Sequence, residues 1–178
     1  KKAIDKFISL LLRHKKNTAY INFGGGEPLL NWRVIKATIE YCEEKYRGKI
    51  NFSFTINTNA SLVTKNMAVF LKKHNVNLAI SLDGSRKAND HVRKFKNQKG
   101  SFGRIMSAIN ILRSENHLID GVATTLTEKN FHLITPDYIK FFLKNNFSDM
   151  RIDIDVIHAQ NISVEEIVDK LIKLKKEA

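Results

Sequence analysis

Two hydrophobic rhythms alternate along this chain. Longer stretches carry apolar residues three and four positions apart, as at Ile4, Phe7, Ile8 and Leu11, and between them short β-branched or aromatic runs alternate apolar with polar positions. The first rhythm predicts helices over 3–15, 31–46, 64–74, 101–116, 136–146 and 163–176. The second predicts strands over 18–23, 50–57, 77–83, 121–126 and 150–157. Several helix starts carry capping chemistry: Ser101 opens one, Thr135 with Pro136 opens another, and Ser163 with Glu166 forms a capping box. Strands that alternate with helices pair in parallel through right-handed crossovers, so the class is α/β.

The strands are two-faced. Phe52, Phe54 and Ile56 oppose Ser53, Thr55 and Asn57; Leu78, Ile80 and Leu82 oppose Ala79, Ser81 and Asp83; Ile152, Ile154 and Val156 oppose Asp153 and Asp155. A doubly wound sheet would read apolar on both faces. A closed eight-stranded barrel needs about 250 residues and an aliphatic interior. The pattern therefore predicts an incomplete, roomy parallel barrel of the α/β class, with five strands and about six helices present, polar faces turned inward and the active face at the carboxyl ends of the strands.

Composition narrows the picture. At 178 residues the chain suits one domain, here 1–178. Its 30 Lys and Arg against 18 Asp and Glu give a net charge of +12, but the cations are scattered along helix faces and dense only from Arg86 to Lys99. Scattered charge of this kind meets water, so a nucleic-acid partner is not expected. A single cysteine, Cys42, excludes an intrachain disulfide and a multi-thiolate metal site built from this chain alone, and it points to a reducing, cytoplasmic setting. Its place within 31–46 reads as a helix-packing thiol. No apolar run approaches the roughly 20 residues of a membrane span. The first residues, Lys1 to Asp5, carry neither an initiator Met nor a signal-type apolar region, so the chain is expected to be an excised segment. The six histidines show no metal-site spacing, and only His158, at a strand end, has a functional reading.

The residues at the strand ends carry the chemistry. They are Gly24-Gly25-Gly26-Glu27-Pro28, Asn57-Thr58-Asn59, Ser81-Leu82-Asp83-Gly84, Thr124-Thr125 and Asp155 to His158, all expected on one rim. Three glycines let backbone approach a ligand closely, yet they lack the Lys and Ser or Thr of a P-loop and the spacing of a dinucleotide fingerprint.

Taken in order, these segments resemble the radical S-adenosylmethionine (SAM) superfamily, in the form found in sulfatase-maturating and SPASM-type peptide-modifying enzymes. Phe23 to Leu30 resembles the GGEP motif, Asn57 to Leu62 the TNGTLL element and Ser81 to Gly84 the SLDGP element. Asp90 to Arg93 matches D-x-x-R, and Gly100-Ser101-Phe102 matches G-S-F. The resemblance implies that backbone groups of Gly25, Gly26 and Glu27 hold the methionine ammonium of SAM, while Ser81 and Arg93 reach the ribose and the carboxylate, the latter through a bidentate guanidinium. Pro28, Asn59 and Thr125 complete the candidate cofactor-binding set from the same rim. Asp83 and Asp155 are candidate catalytic carboxylates that orient substrate or accept a proton, although paired structural carboxylates read equally well. No metal ligand is assigned. In the intact enzyme the resemblance implies a 4Fe-4S cluster that cleaves SAM to a 5'-deoxyadenosyl radical, which takes hydrogen from a peptide or protein substrate.

The departures matter. No C-x3-C-x2-C loop is present, Ala60 stands where the family has Gly, and Ser85 where it has Pro. Counted from the motifs, the chain corresponds to strands two to six of the family wheel, so the resemblance implies a partial (β/α)6 TIM-barrel-like parallel wheel, a partial core whose cluster ligands lie elsewhere and which is expected to be inactive by itself. An alternative is a cluster-less module that keeps a SAM-shaped pocket or holds an acidic partner on its basic loop 86–99. An aldolase-like barrel would need a lysine at an inward strand position, and none is there.

Overall fold

A computed structural model describes residues 1–117, 119, 121–147 and 149–177. Five strands, β1 (Thr18–Phe23), β2 (Asn51–Thr58), β3 (Asn77–Ser81), β4 (Gly121–Leu126) and β5 (Met150–Ile154), form one sheet in sequential order, every pair parallel. Among the described residues the helices are α1 (Lys2–Arg13), α2 (Trp32–Lys45), α3 (Lys65–Lys73), α4 (Arg86–Val92), α5 (Phe102–Ser114), α6 (Glu128–Phe131), α7 (Pro136–Lys144) and α8 (Val164–Glu177), with a 3-10 turn at Pro28–Asn31. The result is a half-barrel of the expected α/β class.

The apolar faces of β2, β3 and β4 pack under the helices, as the alternation predicts, whereas Ile154 of β5 is exposed. Phe54, Ile56, Leu78, Ile80, Val122 and Leu126 are buried against Ile35, Ile39, Leu71, Ile105, Ile109, Leu112 and Phe142. Ile8, Ala19, Tyr46 and Ile50 make a smaller cluster under α1. The opposite positions Thr55, Asn57, Ala79, Ser81, Ala123 and Thr125 are half-buried and face the concave side. β1 is an edge strand, with Tyr20 77% exposed.

Four helices stop by the same device. Lys15, Asn75, Asn116 and Asn146 adopt left-handed φ of 55°, 48°, 54° and 54° just past α1, α3, α5 and α7. In each case the next amide reaches back five residues: Lys16 to Leu11 (2.9 Å), Val76 to Leu71 (3.0 Å), His117 to Leu112 (3.0 Å) and Phe147 to Phe142 (3.1 Å). These are Schellman caps, which satisfy the last carbonyls and turn the chain toward the next strand. Asparagine tolerates the left-handed region better than other side chains because its short amide bonds locally.

Three expectations need correction. β5 ends at Ile154, not 157, because Asp155 starts a turn whose amide donates to Leu126 O (3.0 Å); Val156 and Ile157 are 75% and 69% exposed. β3 ends at Ser81, which puts Asp83 in a loop. Among the described residues eight helices stand where about six were expected: half of the basic segment 86–99 folds as α4, and α6 is a single turn closed by a Thr127–Asn130 capping box.

Gly84 joins β3 to α4 at φ +90°, and a Cβ there would lie 2.9 Å from Cδ2 of the buried Tyr138. Gly84→Ala is therefore expected to cost about 2–3 kcal/mol, the left-handed penalty plus overpacking, read as a lowered urea midpoint with unchanged slope.

Candidate functional site

The glycine turn after β1 is open. Gly25 and Gly26 hold φ of +80° and +38°, and a Cβ on either would meet nothing within 4 Å, so unobstructed backbone faces outward. Beneath it lies Glu27. Its Oε1 accepts from Leu29 N (3.0 Å) and from Thr58 Oγ1 (2.6 Å), and its Oε2 accepts from Asn59 N (2.8 Å). Both oxygens of the carboxylate thus tie the β1 loop to the end of β2, and what Glu27 leaves toward a ligand is its backbone. Pro28 starts the 3-10 turn that carries the chain away to α2.

The β2 end is equally committed. Thr58 Oγ1 accepts from Ala60 N (2.9 Å) while donating to Glu27, and Asn59 Oδ1 accepts from Ser61 N (2.9 Å). Ala60 is fully buried at φ +56°, a left-handed position, which is the physical reason a glycine suits it and why its alanine carries strain.

Across the rim, Asp83 and Arg93 form a nearly dry ion pair, their side chains 2% and 24% exposed. Arg93 Nε donates to Oδ2 (2.8 Å) and Nη2 to Oδ1 (3.1 Å), and Thr125 N adds a longer bond to Oδ1 (3.3 Å). Burial pushes the Asp83 carboxyl upward from the ordinary range, with Arg93 and the Thr125 amide pulling the other way. Asn89, fully buried, organises the same loop: its Oδ1 accepts from Asp83 N (3.3 Å), and its Nδ2 donates to Ser101 Oγ and Asp90 Oδ1 (both 3.1 Å). Arg93 Nη1 meets no acceptor among the described residues and is free to grip an anion. Three of the carboxylate's acceptor sites are thus occupied, two of them by Arg93, so that Asp83 positions Arg93. Ser81, half-buried on the concave face and paired in register with Ala123, makes no side-chain hydrogen bond to a described residue.

Asp155 belongs to a separate network. Its Oδ1 accepts from the amides of Ile157 (3.1 Å) and His158 (3.2 Å), and its Oδ2 meets His158 Nδ1 at 2.8 Å, which holds the carboxyl below its ordinary range. His158 borders a cavity of about 420 Å³ with Val92, Thr127, Glu128, Lys129 and Asn161. The two candidate carboxylates thus serve different basic partners.

Sequence reading placed Gly25, Gly26, Glu27, Pro28, Asn59, Ser81, Arg93 and Thr125 around one rim, and the structure ties the strand ends in two pairs, those of β1 and β2 through Glu27 and Asn59, and those of β3 and β4 through Asp83 with Arg93 and Thr125. It put Thr58 on the rim without giving it a role, and it missed Asn89. Their signal was faint: a buried polar side chain shows in sequence only as a polar residue where the burial rhythm wants an apolar one. No group of three or more potential metal ligands occurs among the described residues. Burial pushes the Cys42 thiol up to about 11.

Comparison with known proteins gives these features a context. The model of the radical SAM superfamily matches residues 2–127. The chain is 28% identical over 173 residues to the radical SAM cyclopropyl synthase TigE of Paramaledivibacter caminithermalis, covering 96% of this chain and 35% of that protein. It is 32% identical over 126 residues to the cysteine-type anaerobic sulfatase-maturating enzyme of Clostridium novyi, covering 70% of this chain and 33% of that one. The structure of native anSMEcpe with bound AdoMet and Kp18Cys peptide superposes with a TM-score of 0.80 at 15% identity, over 90% of this chain and 46% of that chain, which shows a shared fold. The chain spans about a third to a half of the length of the curated relatives it matches.

Proposed function

The chain belongs to the radical SAM superfamily, and on that premise we propose that it is the SAM-holding part of a core whose substrate is a peptide or protein. The observation that carries the reading is a pair of complementary, unspent groups on one rim: the open backbone of Gly25 and Gly26, and the free Nη1 edge of Arg93. The first offers carbonyl acceptors to an ammonium, the second two-point geometry to a carboxylate, and an amino-acid head group needs both. Ser81 and Thr125 line the space between for a ribose, and Asn59 frames it. When bound, and given one electron by a reductant that these residues do not themselves hold, SAM would supply radical hydrogen abstraction from the substrate, and the residues of this chain would bind it, orient it and keep water out.

The 4Fe-4S cluster does not fit these residues. Such a cluster needs several thiolates, and the lone Cys42 is fully buried in α2 with its thiol held protonated. Cluster ligation is accordingly no part of this reading. Support for a peptide substrate comes from the kinship to a sulfatase-maturating enzyme and from the peptide complex of anSMEcpe. No helix among the described residues is long and apolar enough to cross a membrane, and the single cysteine suits a reducing compartment such as the cytoplasm.

SAM titrated into the purified chain is expected to bind saturably, with S-adenosylhomocysteine competing, in isothermal calorimetry. Absence of saturable binding at millimolar SAM overturns the reading.

A further inference from the structure

The segment after Arg93 is a built hairpin. Lys94 bridges Gly100 in antiparallel fashion, Phe95 N donates to Lys99 O (2.9 Å), and Gln98 N donates to Phe95 O (2.9 Å), with Gln98 at φ +65° making the turn. Its base is clamped: Ser101 N and Ser101 Oγ both donate to Arg93 O (3.1 and 3.0 Å), and Arg93 is itself locked to Asp83. Against α4 the packing is close enough that a Cβ on Gly100 would fall 2.0 Å from Asp90 Cγ. The hairpin therefore stands at a fixed place on the carboxyl rim, one residue from the guanidinium assigned to the cofactor.

Its chemistry is one-sided. Lys94, Lys96 and Lys99 are exposed, as is Lys87 on α4, and none of the four has a carboxylate partner among the described residues. Elsewhere four lysines are paired, Lys36 with Glu40, Lys45 with Asp5, Lys65 with Glu115 and Lys140 with Asp137; others, such as Lys15, Lys72 and Lys144, are also exposed without a carboxylate partner among the described residues, but they stand at the ends of α1, α3 and α7, which lead into the amino ends of the strands. The two nearby acids are already engaged, Asp83 by Arg93 and Asp90 by Phe102 N (2.8 Å) and Asn89. Phe95 adds a ring that is 37% exposed among the ammonium groups. A surface of uncompensated cations held rigidly beside a reaction site attracts an anionic substrate and orders its approach.

We propose that the hairpin Lys94–Gly100, with Lys87, docks an acidic stretch of the peptide substrate and so feeds the residue to be modified into the concave face. The proposal rests on the peptide-modifying reading above and names the class of peptide that reading leaves open. Nucleic acid fits less well, because the patch is a single short hairpin with one aromatic ring, where strand-tracking proteins present long cationic grooves with several stacking rings.

The test uses the 178-residue chain and fluorescence anisotropy with three labelled probes of equal length: an Asp/Glu-rich peptide, its Asn/Gln counterpart and oligothymidylate. The acidic peptide is expected to bind at low salt and to weaken about 10-fold between roughly 20 mM and 300 mM salt, as screening of exposed charge requires. The triple variant Lys94→Glu, Lys96→Glu, Lys99→Glu is expected to lose about 10-fold or more in that affinity while circular dichroism and SAM titration stay unchanged. Equal binding of acidic and neutral peptides, indifference to charge reversal, or tighter binding of the oligonucleotide overturns the proposal. Because SAM is titrated separately, acidic-peptide binding without SAM binding sinks the cofactor reading alone, and the converse sinks the docking proposal alone.

Discussion

Arg93→Met is expected to lower the stability of this chain by about 3–5 kcal/mol and to abolish measurable SAM binding. The stability loss follows from what the substitution leaves behind: the Asp83 carboxylate, 2% exposed, would keep one long bond to the Thr125 amide and no counter-charge. A buried carboxylate so stranded takes up a proton, and burial already raises its pKa in the intact pair. The sign then follows from linkage. A group whose folded pKa lies above its unfolded value contributes most below the unfolded pKa and loses that contribution as pH rises through the folded one, so the deficit of Arg93→Met should shrink as pH falls toward about 4. The double variant Asp83→Asn, Arg93→Met removes the stranded charge and is expected to regain most of the stability at neutral pH. It should not regain SAM binding, because the Nη1 edge is still gone. Urea unfolding at two pH values together with SAM calorimetry reads all of this. A double variant that binds SAM as the intact chain does would show that Arg93 serves the fold alone.

Glu27→Ala should produce the second large effect, about 2–4 kcal/mol of lost stability with a SAM affinity reduced at least about 10-fold. Three donors, Leu29 N, Thr58 Oγ1 and Asn59 N, converge on this one carboxylate, and Thr58 is buried. Glu27→Gln is an informative partial replacement. Its oxygen can serve Leu29 and Thr58, but its amide group would then face Asn59 N, donor against donor, so roughly half the loss should persist. Thermal unfolding gives the total. Hydrogen exchange at the Asn59 amide gives the local part, and exchange at that amide no faster in Glu27→Ala than in the intact chain would refute the proposed tie.

Much of this arrangement could be read from residue order. The polar-apolar alternation of β2 and β3 reports which face meets helices, and strict alternation of strands with helices leaves parallel pairing as the economical solution. The rim followed, because the residue after each strand must lie there. The side chains' allegiances did not follow. Glu27 could point up to a ligand or down to Thr58, and the choice is made by donors that lie 31 and 32 positions away. Asp83 reads as a lumen carboxylate until α4 brings Arg93 back to it, and α4 was hidden because its short basic run has no apolar rhythm. The end of β5 misled for the opposite reason: Val156 and Ile157 continue a strand-like composition into a turn that Asp155 and His158 close through their own side chains. One signal was available and went unread. Asparagine stands three times at the same offset from the end of a helix, at Asn75, Asn116 and Asn146, and each marks a left-handed cap.

The sequential order of the sheet has a consequence for how cohesion is distributed along the chain. Among the described residues each strand hydrogen-bonds only to the strands that precede and follow it in the sequence, and no pairing skips a neighbour. Order in such an assembly spreads by adjacency, as in stacked repeats, so the middle strand is supported from both sides while each outer strand leans on a single neighbour. Opening should therefore start from the outer strands and work inward, with β3 the last to exchange its amides. The Asp83–Arg93 clamp and its hairpin follow directly on that strand, so they are expected to keep a rigid root while the flanks of the half-barrel open.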